Sequence, residues 1–326
     1  MPTVALDLLG GDRAPDVVAD AVALLQDDPE APDLLLVGPV DHAVELLRER
    51  GIDPRGFVVE PATGAVGMDE DPLTVLRQNP EVSVSVAARL VARGRAQAWV
   101  SVGHTGAAVA AAVLELGRIP GMARPALSVV VPSLAGPVVL LDAGAAPDAT
   151  PDLLRQFAVA GHTYAQVLGI ADPGVGLLTI GSEEGKGDRL RRSAHELFRE
   201  VLPPAGIRYV GPVEGHDLGL GMAASVVVAD GFTGNVLLKG LEGAVQWAAT
   251  RMGSAYGDPE PAWRVVTQTA TSDFAGGMLL GVSGVTVVGH GAGTAEEICA
   301  CVRLAARVCD MGLVSRTARA FSTEVR

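Results

Sequence analysis

Short runs of aliphatic residues alternate along this chain with longer segments in which apolar positions recur every three or four residues. Several of the short runs are apolar throughout, which is typical of parallel strands covered on both faces. The alternation therefore predicts βαβ units and an α/β fold built on a mostly parallel sheet. The predicted strands span residues 3–8, 33–37, 98–102, 126–131, 138–141, 176–180, 207–210, 225–229 and 285–289.

Helices are predicted in the segments between these strands. They span residues 15–26, 41–50, 82–93, 106–116, 151–168, 188–201, 234–252 and 294–311. The last helix has the clearest start, because Thr294 and Glu297 have the spacing of a capping box and apolar residues follow at intervals of three and four. Glycine, aspartate and two prolines crowd residues 253–261, which predicts a surface excursion there.

Composition and charge narrow the class of protein. Of the 326 residues, 48% are hydrophobic and 19% are charged, a balance that excludes a disordered chain and allows one large domain or two. The formal net charge of −13 argues against nucleic-acid binding, which needs clustered Lys and Arg to neutralise phosphates. No apolar run is long enough to cross a bilayer and no charged segment precedes the first apolar stretch, so we expect a cytoplasmic protein without a signal peptide.

Glycine-rich turns follow four of the predicted strands and lead into helices. They lie at residues 6–12, 101–106, 229–235 and 288–294. Each turn places backbone N–H groups and a helix N-terminus beyond the carboxyl end of a strand, where open α/β sheets bind ligands. One such turn is an ordinary connection, but four together favour a site for an anion or an acyl carbonyl over purely structural turns.

Two common phosphate-binding motifs do not fit these turns. Residues 289–293 lack the spacing of a dinucleotide fingerprint, and residues 181–187 are one position short of a P-loop and lack its Ser or Thr. The chain also has no G-x-S-x-G serine elbow. Its three cysteines, Cys299, Cys301 and Cys309, are interpreted as small buried apolar residues. The sequence therefore predicts no metal ion, no cofactor and no side-chain nucleophile.

The charged and titratable side chains near the turns are the candidate catalytic and binding residues. Of the 25 Lys and Arg residues only Lys186 and Lys239 are lysine, and both stand beside glycine, which slightly favours a functional role for a compact ammonium over chance. His104 and His290 lie within glycine turns, where a binding role and a structural role are equally open. Three acids end apolar strands and are interpreted as general base, pocket wall or helix cap: Asp7, Asp142 and Asp230.

Nearly the whole chain carries one ordered series of motifs. It runs through Asp7 with Gly10-Gly11-Asp12, Thr105-Gly106-Ala107, Arg124-Pro125-Ala126, residues 181–187, residues 230–235 with Lys239, and His290-Gly291. In order and number these motifs resemble the bacterial acyl-acyl-carrier-protein:phosphate acyltransferases of phospholipid synthesis, the PlsX family. The resemblance implies a Rossmann-like three-layer αβα sandwich of the isocitrate/isopropylmalate dehydrogenase-like type, a single acyltransferase domain over residues 1–326, and a homodimer. It also implies transfer of a fatty acyl group from a carrier-protein thioester to inorganic phosphate.

In the implied reaction phosphate is itself the nucleophile, so the protein has to hold it against the thioester carbonyl and stabilise the oxyanion. We expect Lys186 and Lys239 to supply electrostatic stabilisation. Asp230 and His290 are further expected catalytic residues, with His290 assisting proton transfer. The expected phosphate- and substrate-binding residues are Asp7, Gly10, Gly11, His104, Thr105, Gly106, Thr233, Gly234 and Asn235.

The chain departs from the family pattern in several places. His104, Ala146 and Thr179 stand where the family has asparagine, so amide hydrogen bonds are lost and one titratable group is gained. A basic run of the family is replaced at residues 77–84. The lysine-rich excursion of the family is shortened around residues 245–272. Because anionic membranes attract basic segments by about 1 kcal/mol per charge, we expect membrane association to be at most weak and peripheral.

Three functions stay open at this point. The first is acyl transfer from a carrier-protein or coenzyme A thioester to phosphate, serving a specialised pathway. The second is an acyltransferase in which His104 activates a different small nucleophile, and the third is a relative that binds a carrier protein without catalysis. A carrier protein would need a basic face, for which Arg189, Arg191 and Arg192 are candidates against the simpler interpretation of a solvated helix surface.

Overall fold

The structure, a computed structural model, describes residues 1–183, 185–221, 223–270 and 275–324. The strands within these residues are β1 (Thr3–Asp7), β2 (Asp33–Gly38), β3 (Val58–Pro61), β4 (Ala98–Ser101), β5 (Ala126–Ser133), β6 (Gly136–Leu141), β7 (Val175–Leu178), β8 (Tyr209–Val213), β9 (Val226–Val228), β10 (Gly277–Leu280) and β11 (Val285–Val288). The α-helices are α1 (Asp16–Gln26), α2 (Val40–Glu49), α3 (Pro72–Gln78), α4 (Ser83–Ala92), α5 (Thr105–Glu115), α6 (Pro151–Val167), α7 (Arg189–Val201), α8 (Gly215–Leu220), α9 (Gly231–Tyr256), α10 (Glu260–Ala270), α11 (Ala295–Asp310) and α12 (Leu313–Glu324).

The chain divides into two compact α/β units. The first unit is Met1–Ile119 with Gly276–Arg316, and the second is Pro120–Ala275 with Thr317–Arg326. This division does not decide whether the units fold as one domain. The prediction of a single domain over all 326 residues therefore stays a prediction.

In the first unit the strands lie in the order β3-β2-β1-β4-β11-β10. Strands β10 and β11 are antiparallel, and the other neighbours are parallel. Val4 and Ala5 of β1 are completely buried and Leu6 is 1% exposed, which explains why the middle of this strand is apolar on both faces. The parallel strands β1, β4 and β11 end at the same edge, so the glycine turns that follow them are neighbours.

In the second unit the strands lie in the order β5-β6-β9-β7-β8. Strands β5 and β6 form an antiparallel pair, and the remaining neighbours are parallel. Helix α6 is buried along most of its length and contributes the large core side chains Phe157 and Tyr164. Since β6 and β9 are parallel neighbours, the turn after β6 lies beside the turn in which α9 begins.

The predicted fold class is confirmed, and each predicted strand overlaps an observed one. Two four-residue strands, β3 and β10, were not predicted. The excursion predicted around residues 245–272 falls on α9 and α10, and helical structure is interrupted there only between Tyr256 and Glu260. Residues 271 and 272 of that prediction lie outside the described residues.

Candidate active site

The turn after β1 is built on a buried carboxyl group. Asp7 is 2% exposed, and it accepts hydrogen bonds from Ser101 Oγ at 2.7 Å and from the Leu9 N–H at 3.0 Å. A Cβ at position 10 would lie 2.6 Å from Ser101 Oγ and 2.8 Å from the Gly103 nitrogen. Only glycine fits at position 10, because the turns after β1 and β4 touch there.

Burial raises the pKa of the Asp7 carboxyl above its usual value. The hydroxyls of Ser83 and Ser101 and the N–H groups of Leu9 and Gly10 oppose this shift by stabilising the ionised form. Asp7 therefore supports the turn from the protein interior and does not cap a helix. Direct contact between Asp7 and a substrate stays a prediction.

The turn after β11 is joined to the turn after β1 by hydrogen bonds. The Asp12 N–H donates to the Gly291 carbonyl oxygen at 2.8 Å, and Arg13 Nη2 donates to the Gly293 carbonyl oxygen at 2.8 Å. Gly11 has a φ of +115°, and a Cβ there would lie 3.0 Å from Val102 Cγ2. The structure thus brings together three of the four glycine turns predicted from the sequence.

Each of the two histidines in these turns accepts a hydrogen bond from a backbone N–H, in both cases through Nδ1. His104 is the N-cap of α5, and its Nδ1 accepts from the Ala107 N–H at 3.3 Å. His290 Nδ1 accepts from the Ala292 N–H at 3.2 Å. Within the described residues, two N–H groups at the start of α5 have no acceptor: those of Thr105 and Gly106. These N–H groups and the two rings are among the hydrogen-bond donors at this edge of the first unit.

In the second unit a buried ion pair holds the start of α9. Asp230 is the N-cap and accepts from the Thr233 N–H at 2.9 Å. Arg191 donates from Nη2 to Asp230 and to Thr233 Oγ1, and from Nη1 to Asp188 at 2.9 Å. The Arg191 and Asp230 side chains are only 12% and 7% exposed. The pair therefore fixes the first turn of α9 against α7.

Burial of Asp230 opposes its ionisation, but hydrogen bonds from Thr233 and the Arg191 guanidinium outweigh burial and hold the pKa of this carboxyl below its usual value. Asp230 is thus an ionised cap with its partners in place. The N–H of Gly234 donates to the Asp230 carbonyl oxygen at 2.9 Å. The backbone donors predicted at Thr233 and Gly234 are consequently engaged within the helix start.

The turn after β6 packs directly against this helix start. Asp142 is completely buried and accepts hydrogen bonds from four backbone N–H groups, those of Leu127, Gly144, Ala145 and Ala146. Burial raises the pKa of its carboxyl, although the four N–H groups favour the ionised form. A Cβ at Gly144 would lie 3.8 Å from Oδ1 of Asn235, so the Asn235 amide lies beside this turn.

Replacing Gly234 by alanine is expected to cost about 1–3 kcal/mol of unfolding free energy by overpacking. The added Cβ would lie 2.0 Å from the Asp142 carbonyl oxygen, which is rigid backbone. Gly240, on the same helix, has open space around its Cβ position, so Gly240→Ala should instead stabilise by about 0.5–1 kcal/mol. Urea unfolding of both variants checks this, and equal effects at the two positions would contradict the packing described.

The two lysines differ in their surroundings. Lys239 Nζ lies 2.8 Å from Glu242 Oε2, and the two side chains are 52% and 42% exposed. Lys239 stands four residues after Asn235 on α9, so both share one helix face. Lys186 is exposed, and within the described residues its ammonium has no acidic partner. Lys186 is therefore the more available cation.

Arg191 is the residue whose place in the site the sequence analysis missed. It was grouped with Arg189 and Arg192 as a candidate basic face, and the structure corrects this because Arg191 is buried in the ion pair while the other two are exposed. Asp188 three residues earlier is a weak signal for a local pair. Nothing in the sequence links Arg191 to Asp230.

Burial sets the chemical character of the cysteines. Burial raises the pKa of Cys299 to about 11 and that of Cys301 to about 12, so these thiols are poor nucleophiles. Among the described residues no three His, Cys, Asp or Glu side chains are placed to hold a metal ion.

Comparison with known proteins identifies the family to which this chain belongs. The family described as "Fatty acid synthesis protein" matches residues 2–316. The chain belongs to this family. Its relatives include a phosphate acyltransferase of Thermus thermophilus, which is 41% identical over 331 residues and 98% of each chain. A phosphate acyltransferase of Heliobacterium modesticaldum is 40% identical over 316 residues, which are 93% of this chain and 92% of the relative. These relatives confirm the resemblance found in the sequence, and the protein is an acyltransferase.

Solved structures of lower identity share the fold of this protein. A phosphotransacetylase from Streptococcus pyogenes superimposes with a TM-score of 0.64 at 18% identity, covering 94% of each chain. A 4-hydroxythreonine-4-phosphate dehydrogenase from Klebsiella pneumoniae has a TM-score of 0.58 at 11% identity, covering 95% of this chain and all of the other. Both confirm the predicted dehydrogenase-like three-layer α/β fold.

Proposed function

We propose that this protein transfers an acyl group from a thioester to inorganic phosphate and releases an acyl phosphate and a thiol. The observation that carries the proposal is the meeting of three glycine turns and the start of α5 at the ends of β1, β4 and β11. Backbone N–H groups and a helix N-terminus in this arrangement bind oxyanions. The names of the relatives support the same reaction and do not favour a different nucleophile or a non-catalytic role.

In the proposed reaction a phosphate oxygen attacks the carbonyl carbon of the thioester, and the carbon–sulfur bond of the tetrahedral intermediate then breaks. The bonding electron pair leaves on sulfur as a thiolate, and the attacking oxygen becomes the bridging oxygen of the acyl phosphate. The protein holds phosphate against the carbonyl and stabilises the oxyanion. This chemistry needs no nucleophilic side chain, in keeping with the raised pKa values of the buried thiols.

The proposed roles of the predicted residues follow from their surroundings. Within the first unit, Gly11, Thr105 and Gly106 are the proposed backbone N–H donors to an anion. Lys186 belongs to the second unit and is the proposed main cation. In the second unit the side chains of Thr233 and Asn235 contact substrate, with Lys239 as a weaker cation because Glu242 pairs with it. Asp7, Gly10, Asp230 and Gly234 act by position, and the rings of His104 and His290 act at the substrate itself.

The acyl donor is proposed to be an acyl carrier protein thioester, with a coenzyme A thioester as the second possibility for the test. We propose a homodimer, because α9 and α10 leave large apolar side chains exposed: Trp247 at 68%, Tyr256 at 81% and Val265 at 63%. Light scattering on the purified protein tests this. None of the helices in the described part of the chain has the length and apolarity to span a bilayer.

Acyl hydroxamate formation tests the proposed function. The purified protein is incubated with an acyl carrier protein thioester or the matching coenzyme A thioester, with and without inorganic phosphate, and the acyl phosphate is trapped with hydroxylamine. We expect hydroxamate and thiol in equal amounts, only when phosphate is present. Thiol release that does not depend on phosphate would favour a different nucleophile, and carrier binding without turnover would favour a non-catalytic role.

A further inference from the structure

We infer that His104 acts in the proposed reaction as a neutral hydrogen-bond donor through Nε2–H, and that it is not a proton-accepting base. The inference rests on the proposed function and assigns one residue of that site a specific chemical state. It follows from how the ring is held at the start of α5 and from what occupies the matching position after β11.

The cap on α5 fixes the tautomer of His104. Nδ1 accepts the Ala107 N–H at 3.3 Å, so this nitrogen presents a lone pair and carries no proton. A neutral imidazole has one N–H and one bare nitrogen, so the proton of this ring is on Nε2. Within the described residues Nε2 has no hydrogen-bond partner of its own. The ring thus offers one donor and no second acceptor.

Glycine at position 106 makes room for this ring at the start of α5. A Cβ at Gly106 would lie 2.9 Å from His104 Cε1, so glycine at position 106 is what allows the imidazole to lie over the first helical turn. The N–H groups of Thr105 and Gly106 are at the same helix start. A group bound there meets N–H donors and the positive end of the helix, which favours an oxyanion or a polarised carbonyl oxygen.

A capping asparagine would make the same pair of interactions. Its Oδ1 accepts from the helix N–H and its Nδ2–H donates outward, just as Nδ1 and Nε2–H do in this ring. The substitution of histidine for the family's asparagine at position 104 therefore keeps both functions. It does not create a base, because the lone pair needed to activate a nucleophile is already engaged with Ala107.

His290 repeats the arrangement on the neighbouring turn. Its Nδ1 accepts the Ala292 N–H at 3.2 Å, so its Nε2 also carries the proton. The turns are adjacent, since the Gly289 N–H donates to the Ser101 carbonyl oxygen at 2.9 Å. Two turns at one sheet edge thus each present an imidazole N–H. Such donors can hydrogen-bond to a negatively charged oxygen.

Two isosteric variants separate a donor from a base. His104→Asn keeps the cap and the donor, whereas His104→Asp keeps the cap and loses the donor. We expect His104→Asn to retain kcat/KM for phosphate within about threefold and His104→Asp to lose about 10²-fold, as for removal of an aimed donor, with unchanged unfolding midpoints for both. His42→Asp, on the exposed face of α2, controls for the change in net charge alone and should match the unaltered protein.

The opposite kinetic pattern would overturn the inference. If His104→Asn is as impaired as His104→Asp, the ring moves a proton, and if His104→Asp is fully active, no donor is needed. Nitrogen-15 shifts of the labelled histidine rings test the tautomer without turnover, and a protonated Nδ1 on His104 would also refute it. Absence of phosphate-dependent turnover in the unaltered protein would count against the proposed function, whereas the ring shifts would still decide the tautomer.

Discussion

Arg191→Ala is expected to lower the unfolding free energy of the protein by about 3 kcal/mol, at the low end for loss of one partner from a buried ion pair. Arg191 lies 12% exposed between α7 and α9 and donates to Asp230, to Thr233 and to Asp188. Its removal leaves the Asp230 carboxylate buried with only the Thr233 groups as donors. Urea unfolding followed by circular dichroism measures the loss.

The pH dependence of this loss identifies its cause. The pKa of Asp230 is lowered in the folded protein, so its contribution to stability is fully present above the unfolded-state pKa and is lost as pH falls through the folded-state pKa. The stability difference between Arg191→Ala and the unaltered protein should therefore shrink below about pH 4, near the ordinary aspartate pKa.

Arg189→Ala is the matched control for this pair. Arg189 is exposed and lies two residues away on the same helix, so its removal should change stability by less than about 0.5 kcal/mol. Equal losses for the two arginines, or a difference that does not depend on pH, would contradict the structural role assigned to the Arg191–Asp230 pair.

Lys186→Ala is expected to lose about 10²–10³-fold in kcat/KM for phosphate, the usual cost of removing a group aimed at developing charge. The side chain is exposed and its ammonium has no acidic partner within the described residues. The unfolding free energy of the Lys186→Ala variant should therefore stay within about 0.5 kcal/mol of that of the unaltered protein. Initial rates of acyl phosphate formation at varied phosphate measure the effect.

Substitution of the second lysine, Lys239, gives a comparison for the effect of Lys186→Ala. Lys239 already pairs with Glu242 at 2.8 Å, so Lys239→Ala should cost only about tenfold, since part of its charge is offset by the carboxylate. With a coenzyme A thioester as the donor, which needs no carrier-protein contact, Arg189→Ala serves as the control for loss of a nearby positive charge and should leave the rate unchanged. Full activity in Lys186→Ala would remove this lysine from the proposed reaction.

Much of the fold was predictable because its strands are buried on both faces. β9 is apolar throughout, β1 is apolar from Val4 to Leu6, and the Thr294–Glu297 capping box marks the start of α11. The missed strands carry weaker patterns. Strand β3 is an edge strand of four residues that ends in Pro61 and has no fully buried position. Its pattern of hydrophobic residues is therefore too weak to predict a strand.

The candidate site was predictable only where its geometry is local. Glycine turns at strand ends are visible in the sequence, because the tight turn and the helix start are encoded within a few residues. Contacts such as Ser101 with Asp7 and Arg191 with Asp230 join residues 94 and 39 positions apart. These pairs are set by strand order and helix packing, so local patterns do not reveal them.

Thiol release in the complete absence of phosphate is the most direct measurement of whether phosphate attacks the thioester without a covalent protein intermediate. The protein is mixed rapidly with a stoichiometric amount of acyl carrier protein thioester, and thiol is followed before and after phosphate is added. The account predicts no thiol until phosphate arrives and no acylated protein by mass spectrometry. A burst of one thiol per chain with a matching acyl adduct, before any phosphate is added, would contradict it.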